Sequence, residues 1–323
     1  MSERRAAGAA VVRAVVRGAA VAMLSASTVL AAGCGLGAGK APSAVGLVVT
    51  RDFGAKVVRS WGAPQARGQE TVMSLLTRNA TVSTRYSGGF VQSIDGLAGG
   101  QSGGHSVDWF YYVNGIEASK GAASTNVRPG DHIWWDWHDW SASDDIRAVV
   151  GSYPQPFLNG IDGKRLPVRV ECASVQGDAC RTVTARLRAQ HVPAAVAALG
   201  AGAGSAHTLR VAVGTWREIA GVSDVRELSA GPRASGVYAR FSRSGATLVL
   251  LDEAARSTQT LAAGAGLIAA TRSGEDAPVW AVTGTDTAGV TRAANAFDAA
   301  TLKNRFAVAV AADGPLSLPR PGT

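Results

Sequence analysis

Residues 108–140 constrain the fold more than any other stretch, because they hold five of the chain's eight Trp residues. The run W-F-Y-Y-V at 109–113 consists of aromatic and β-branched residues, which favour a strand. Asn114-Gly115 follows it, and this pair is preferred in tight type I′ hairpin turns. A second turn sequence, R-P-G-D at 128–131, precedes another aromatic run at 132–140. The stretch therefore predicts two aromatic strands bracketed by turns.

The first 34 residues have the pattern of an export signal. A basic segment is followed by a short apolar run at 18–32 and then by small residues and Cys34. This resembles a bacterial lipoprotein signal, in which Cys34 carries the lipid and becomes the new N-terminus, although Ala31 stands where Leu is usual. The alternative is an ordinary cleaved signal with a chance cysteine. We expect an extracytoplasmic protein, lipid-anchored to the bacterial cell membrane, with residues 35–43 as its tether.

The distribution of charge argues against one class of partner, and the cysteines predict a disulfide. The first 34 residues hold four Arg and one Glu, so the rest of the chain carries a net formal charge of +5, against +8 for the whole chain. This charge is spread along the sequence without a Lys/Arg run, which argues against a nucleic-acid partner. In an exported protein, Cys172 and Cys180 with a turn sequence between them predict a disulfide.

Residues 44–150 predict a small sheet with one helix laid across it. Strands are expected at 45–50, 56–61 and 90–97 and in the two aromatic runs. Residues 71–79 have helical spacing of apolar side chains, and Thr71 is the expected N-cap.

Three sequence segments together carry a family resemblance: E-T-V-M-S-L-L at 70–76, W-F-Y-Y-V-N-G at 109–115 and P-G-D-H-I-W-W-D-W at 129–137. They resemble the transcobalamin-type C-terminal β-grasp family, which bacteria attach to exported lipoproteins. The resemblance covers residues 44–150 and implies a ubiquitin-like β-grasp fold. In eukaryotic relatives the domain helps to enclose a corrinoid, so the resemblance implies ligand binding and no catalysis.

The rest of the chain predicts a second domain of mixed α/β type. Residues 151–163 are rich in Pro and Gly and are expected to be a linker. Residues 164–323 follow, with strands expected at 168–172, 209–213, 237–241, 247–251, 266–270, 279–282 and 306–310. A helix is expected at 287–302, and the order from 279 to 310 predicts a parallel β-α-β crossover.

Alternation sorts the last aromatic strand into two faces. Ile133, Trp135 and Trp137 share the face expected to pack under the helix. The other face is expected to be open, since clustered exposed aromatics usually mark a binding surface. Its candidate ligand-binding residues, with one from the preceding strand, are Tyr112, His132, Trp134, Asp136, His138 and Trp140. The alternative is that the second domain covers this face.

Patterns for metal binding or catalysis are weak. His132 and His138 would lie about 20 Å apart on one strand, too far to share an ion. The G-x-S-x-G match at 100–104 lies in an expected glycine loop, without the strand before it and the helix after it that a nucleophile elbow needs. We therefore expect no bound metal, no cofactor and no enzymatic activity.

Two functions fit these patterns. The first is a lipid-anchored binding protein that captures a small molecule, such as a corrinoid, for an uptake system. The second is an envelope structural or protein-interaction module whose aromatic face meets a membrane partner such as a transporter.

Overall fold

The computed structural model describes residues 39–201 and 206–322. The predicted signal segment and its lipidation residue Cys34 lie outside the described residues. From Lys40 onward the chain forms one compact unit.

The first half is built around a mixed sheet. Its elements are β1 (Gly46–Arg51), β2 (Lys56–Trp61), α1 (Val72–Asn79), β3 (Val82–Arg85), a 3-10 helix (Tyr86–Gly88), β4 (Phe90–Ile94), β5 (Leu97–Ala98), β6 (Gly100–Ser102), β7 (His105–Val113), β8 (Ile116–Glu117) and β9 (His132–Asp139). The strand order is β2-β1-β9-β7-β6, with β8 paired to β7, and β3, β4 and β5 form a separate small sheet. Only the β1–β9 pair of the main sheet is parallel. This β-grasp arrangement confirms the fold predicted for the first half.

Local sequence signals explain several of these elements. The Thr71 side chain accepts from the N–H of Ser74, and the Ser74 hydroxyl accepts from the N–H of Thr71, so the expected cap of α1 is confirmed as a capping box. Asn114 and Gly115 have φ of 56° and 78°, as the predicted type I′ turn between β7 and β8 requires. The expected glycine loop at 100–104 is instead a tight hairpin between β6 and β7.

The second half contains a larger sheet covered by helices. Its elements are β10 (Val168–Cys172), α2 (Asp178–Ala189), β11 (Ala194–Ala198), β12 (Leu209–Thr215), α3 (Trp216–Ile219), a 3-10 helix (Asp224–Ala230), α4 (Pro232–Ser235), β13 (Ala239–Phe241), β14 (Leu248–Leu251), β15 (Ser257–Leu261), β16 (Gly266–Thr271), β17 (Val279–Gly284), α5 (Thr287–Asn295), α6 (Ala299–Leu302), β18 (Ala307–Ala311) and β19 (Gly314–Leu318). The order of the large sheet is β11-β10-β12-β17-β16-β18-β19, and β13, β14 and β15 form another small sheet. The mixed α/β class is therefore confirmed.

The two strands of the predicted crossover run parallel as expected, but they are not neighbours in the sheet. β17 and β18 are both antiparallel to β16, so they run parallel to each other with β16 between them. The helix expected at 287–302 is two helices, because the Asp298 side chain accepts from the N–H of Thr301 and starts a new helix there. None of the helices in the described part of the chain has the length and apolar character that crossing a bilayer requires.

Helix α2 was not expected from the sequence, because charged residues dilute its apolar stripe. The buried residues Cys180, Val183 and Leu187 recur at helical spacing along one side. Cys180 lies in its first turn and is bonded to Cys172 at the end of β10. The predicted disulfide is confirmed.

The stretch 151–163, expected to be an open linker, is largely buried. Tyr153 and Phe157 are 7% and 5% exposed. The ring of Tyr153 packs against Phe297 and the ring of Phe157 against Trp280, each with a centroid distance of 4.9 Å. Two aromatic rings in this stretch thus fix it to the large sheet. A linker at this position would imply that residues 44–150 fold alone, and these aromatic contacts argue against that.

Candidate functional site

The alternation predicted for β9 is present. Ile133, Trp135 and Trp137 belong to one buried cluster with the α1 residues Leu75 and Leu76. This face of the sheet therefore forms the core under the helix, as expected.

The opposite face of β9 is not open, so that expectation is wrong. Tyr112, Trp134 and Asp136 are each 0% exposed and His138 is 2% exposed. Phe306 from the second half packs edge-on against Tyr112 and Trp134, with centroid distances of 5.5 and 5.2 Å. We call this buried contact between the halves the seam. A ligand cannot reach these four side chains unless the halves separate, because the second half covers the aromatic face.

The carboxylate of Asp136 in the seam is fully paired, whereas the buried hydroxyl of Tyr112 has no hydrogen-bond partner among the described residues. The Asp136 carboxylate accepts from the backbone N–H groups of Phe53 and Gly54 at 3.1 and 2.9 Å and from the Thr50 hydroxyl. It also shares a hydrogen bond of 2.9 Å with Nδ1 of His138. These contacts explain how a carboxylate without exposed surface is accommodated, since buried charges require hydrogen-bond partners.

The other two candidate residues of this face lie apart from each other. His132 is half-buried and its Nδ1 lies 2.9 Å from the hydroxyl of Ser152. Burial, together with nearby Lys303, lowers the pKa of His132 to about 4. Trp140 is 39% exposed and borders a small surface hollow with Asp144. Within the described residues, no three His, Cys, Asp or Glu side chains are grouped closely enough to hold a metal ion.

An apolar recess of about 220 Å³ opens on the helix side of the first-half sheet. We call it the aromatic cleft. Its lining includes Met73, Phe90, Trp109, Tyr111, Glu117 and Trp135. The rings of Tyr111 and Trp135 stack with a centroid distance of 4.8 Å and an interplanar angle of 27°. Phe90 is 38% exposed, so a large apolar side chain remains open to solvent at this recess.

One donor in the aromatic cleft lacks an acceptor. The indole N–H of Trp135 has none among the described residues, although this residue is only 2% exposed. By contrast, the indole N–H groups of Trp109 and Trp137 donate to the backbone carbonyls of Leu97 and Ala98, each at 3.0 Å. An unsatisfied buried donor costs about 1–3 kcal/mol. The indole nitrogen itself has essentially no accessible surface, so this N–H is buried behind the wall of the cleft.

Glu117 lines the aromatic cleft and also a second, polar recess. Burial, reinforced by the neighbouring carboxylate of Asp145, raises the pKa of Glu117 to about 8. Its carboxyl accepts from the N–H of Ile146 at 2.9 Å. The side chain is therefore largely neutral at pH 7 and adds little negative charge to either recess.

We call the second recess the polar cleft; it has a volume of about 290 Å³. Four cationic side chains line it: Lys120, Arg128, Lys164 and Arg272. Its acidic residues are Glu117, Asp162 and Glu275. Arg272 and Glu275 belong to the second half, and residues 161, 162 and 164 belong to the segment that leads into it, so both halves contribute to this cleft.

The loop at 118–126 connects the two clefts. Gly121 and Ala122 line the aromatic cleft, residues 119, 120 and 124–126 line the polar cleft, and Ala118 lines both. The hydroxyl of Tyr111 holds the loop in place by bonding the carbonyl of Lys120 and the hydroxyl of Thr125. A molecule bound in one cleft therefore lies next to the other cleft.

Comparison with protein families adds one finding. Residues 69–139 match a family model described as a domain of unknown function, DUF4430. A search of curated proteins found no match to the chain.

The DUF4430 match contains the whole aromatic cleft, because every residue lining that cleft lies between 73 and 135. The polar cleft is different, since part of its lining comes from residues outside the match. In this protein the second half thus supplies part of the lining of a cleft beside the DUF4430 match.

Sequence reasoning placed one wall of the aromatic cleft without recognising a cleft. Trp135 is expected in the core under the helix, whereas the sequence assigns Trp109 and Tyr111 only to an aromatic strand. The small sheet formed by β3, β4 and β5 places Phe90 beside them, and no periodicity in the sequence indicates this approach. An N–H without an acceptor is likewise visible only in three dimensions.

Proposed function

We propose that this protein is a lipid-anchored extracytoplasmic binding protein that captures a small molecule through a flat ring system in the aromatic cleft. One observation carries the proposal: the stacked rings of Tyr111 and Trp135 line an open cleft beside the exposed ring of Phe90. Such a site offers aromatic side chains against which a flat ring can pack.

The size of the cleft limits what part of a ligand it holds. Small-molecule sites usually measure about 300–1,000 Å³, and the aromatic cleft alone is smaller. It suits one ring system, and the rest of the molecule extends along the loop at 118–126 into the polar cleft.

The resemblance to the transcobalamin-type β-grasp family supports capture rather than catalysis. In those relatives the domain helps to enclose a corrinoid, and an uptake system is the matching role for an anchored protein. A corrinoid is much larger than the aromatic cleft, so only one edge of it would be held. It therefore enters the proposal as one test ligand among flat ring compounds.

The test identifies the molecule that the protein carries. Protein purified from its native source is denatured, and the released small molecules are analysed by mass spectrometry, with cobalt content as the marker of a corrinoid. Phe90→Ala should lose the bound compound, because truncated aromatic anchors often cost about 2 kcal/mol or more of binding. The matched control is Val57→Ala, an exposed apolar residue of β2, 55% exposed and outside the cleft. Equal loading of both variants would contradict the proposal.

A second function has one observation in its favour. Strand β2 is at the edge of its sheet and exposes Val57 and Val58, at 55% and 36%. An exposed apolar edge strand is suited to pairing with another protein. The envelope interaction module, with a transporter as partner, therefore remains the alternative. Co-purification of a membrane protein with the unmodified protein, and its loss in Val57→Ala, would favour this alternative.

A further inference from the structure

In the two ion pairs of the polar cleft, the cationic side chain is less exposed than its carboxylate partner. The Arg272 side chain is 7% exposed, whereas Glu275, whose carboxylate lies 3.5 Å away, is 77% exposed. Arg128 lies 3.9 Å from Asp162, and its side chain is 41% exposed whereas that of Asp162 is 75% exposed. Pairs with such exposed carboxylates contribute little, about 0–1 kcal/mol. The charge facing the cleft is therefore positive.

Arg272 is fixed without being neutralised. Its Nε donates to the carbonyl of Asp276 at 2.6 Å, and one terminal nitrogen donates to the carbonyl of Glu275 at 2.8 Å. Backbone carbonyls position the guanidinium and leave its full charge in place. A planar, pre-positioned guanidinium is suited to binding a carboxylate or phosphate.

Two lysines add to this charge. Lys120 and Lys164 line the cleft, and neither side chain has an ion pair in the described part of the chain. Glu117 between the clefts stays largely neutral below pH 8 because burial raises its pKa to about 8.

We propose that the molecule held in the aromatic cleft carries an anionic group, a carboxylate or a phosphate, which Arg272 binds in the polar cleft with help from Lys120 and Lys164. This inference rests on the proposed function and narrows its ligand to amphipathic anions that contain a ring. The shared loop at 118–126 places the two subsites next to each other.

The test uses two probes of the same shape, one anionic and one neutral. Binding of 1-naphthaleneacetate and of 1-naphthaleneacetamide to the full chain is measured by equilibrium dialysis at low salt. The acetate should bind at least about tenfold more tightly, the ratio expected for one charge-assisted hydrogen bond. Arg272→Gln should remove this preference and leave amide binding unchanged. Arg243→Gln, which removes an exposed cation outside both clefts, is the matched control and should keep it.

A second variant covers the case in which Arg272→Gln does not fold. The double variant Lys120→Gln/Lys164→Gln changes two cleft lysines and should reduce the preference for the acetate at least about threefold, as expected for weaker, exposed charges. Equal binding of the two probes to the unmodified protein would overturn the inference and leave the proposed function standing. Binding of neither probe would overturn the proposed function itself. An acetate preference that persists in the folded cleft variants would place the anion elsewhere and also overturn the inference.

Discussion

Trp134→Ala tests directly whether the two halves of the chain share one core. Trp134 is fully buried in the seam, and its indole N–H donates to the Thr50 hydroxyl at 2.6 Å. It also packs so closely on Gly151 that a Cβ there would lie 2.7 Å from Cζ3 of the indole. Considered from the sequence alone, this substitution was expected to leave the fold nearly intact, because the face was expected to be open. Its burial reverses that expectation.

The magnitude follows from the buried area. A Trp side chain buries up to about 250 Å², which at about 25 cal/mol per Å² corresponds to an upper bound of about 6 kcal/mol. Measured truncations of buried aromatic residues cost about 3–5 kcal/mol. We expect about 4–5 kcal/mol for Trp134→Ala. Trp135→Ala should cost slightly less, about 3–4 kcal/mol, because it also removes an N–H without an acceptor and opens toward a solvent-filled cleft.

The assay is urea unfolding followed by far-UV circular dichroism, which does not depend on Trp emission. Trp140→Ala is the control, because that residue is 39% exposed and surface changes usually stay within about 0.5 kcal/mol. A free energy of unfolding for Trp134→Ala within about 0.5 kcal/mol of that of the unmodified protein, the range expected for Trp140→Ala, would refute the packed seam.

Further substitutions address other parts of the molecule. Because the pKa of Glu117 is raised to about 8, only the unfolded state releases this proton between about pH 4.3 and pH 8, so stability falls as pH rises through that window. Glu117→Gln should match the unmodified protein in urea unfolding at pH 4 and exceed it at pH 9, and parallel pH profiles would contradict this. Replacing Cys172 and Cys180 by Ser should lower the free energy of unfolding by about 2–3 kcal/mol on the loop-entropy estimate; thermal unfolding unchanged by reductant would argue against it. Cys34→Ala should release the protein from the membrane fraction, and unaltered fractionation would rule out lipid anchoring. A fragment of residues 44–150 should lack dispersed amide resonances, because its seam residues would face water; a well-dispersed spectrum would show that it folds alone.

Local signals in the sequence were sufficient for the elements they control. The Thr71 cap, the Asn114-Gly115 turn and the alternation along β9 depend on residues close together in the chain, and all three are present. The pairing of Cys172 with Cys180 spans a short loop and could equally be predicted from the sequence.

Contacts between distant segments decided the rest. β16 separates β17 from β18 because strand order depends on which edges meet, and no local pattern records that choice. Phe306 covers Tyr112 and Trp134 from far along the chain, so the same alternating pattern that suggested an open face belongs to a buried one. Alternation fixes the direction of a side chain, whereas its exposure depends on what lies opposite.

In the candidate site, too, the sequence determined some features and the tertiary structure decided the others. The sequence determined that Trp135 lies on the face of its strand that packs under the helix. Only the tertiary structure left a gap beside it and left the Trp135 N–H without an acceptor, since both result from how the loop at 118–126 and β4 approach that face. Arg272 reaches the neighbouring cleft from the second half, through a contact that depends on the packing of the two halves.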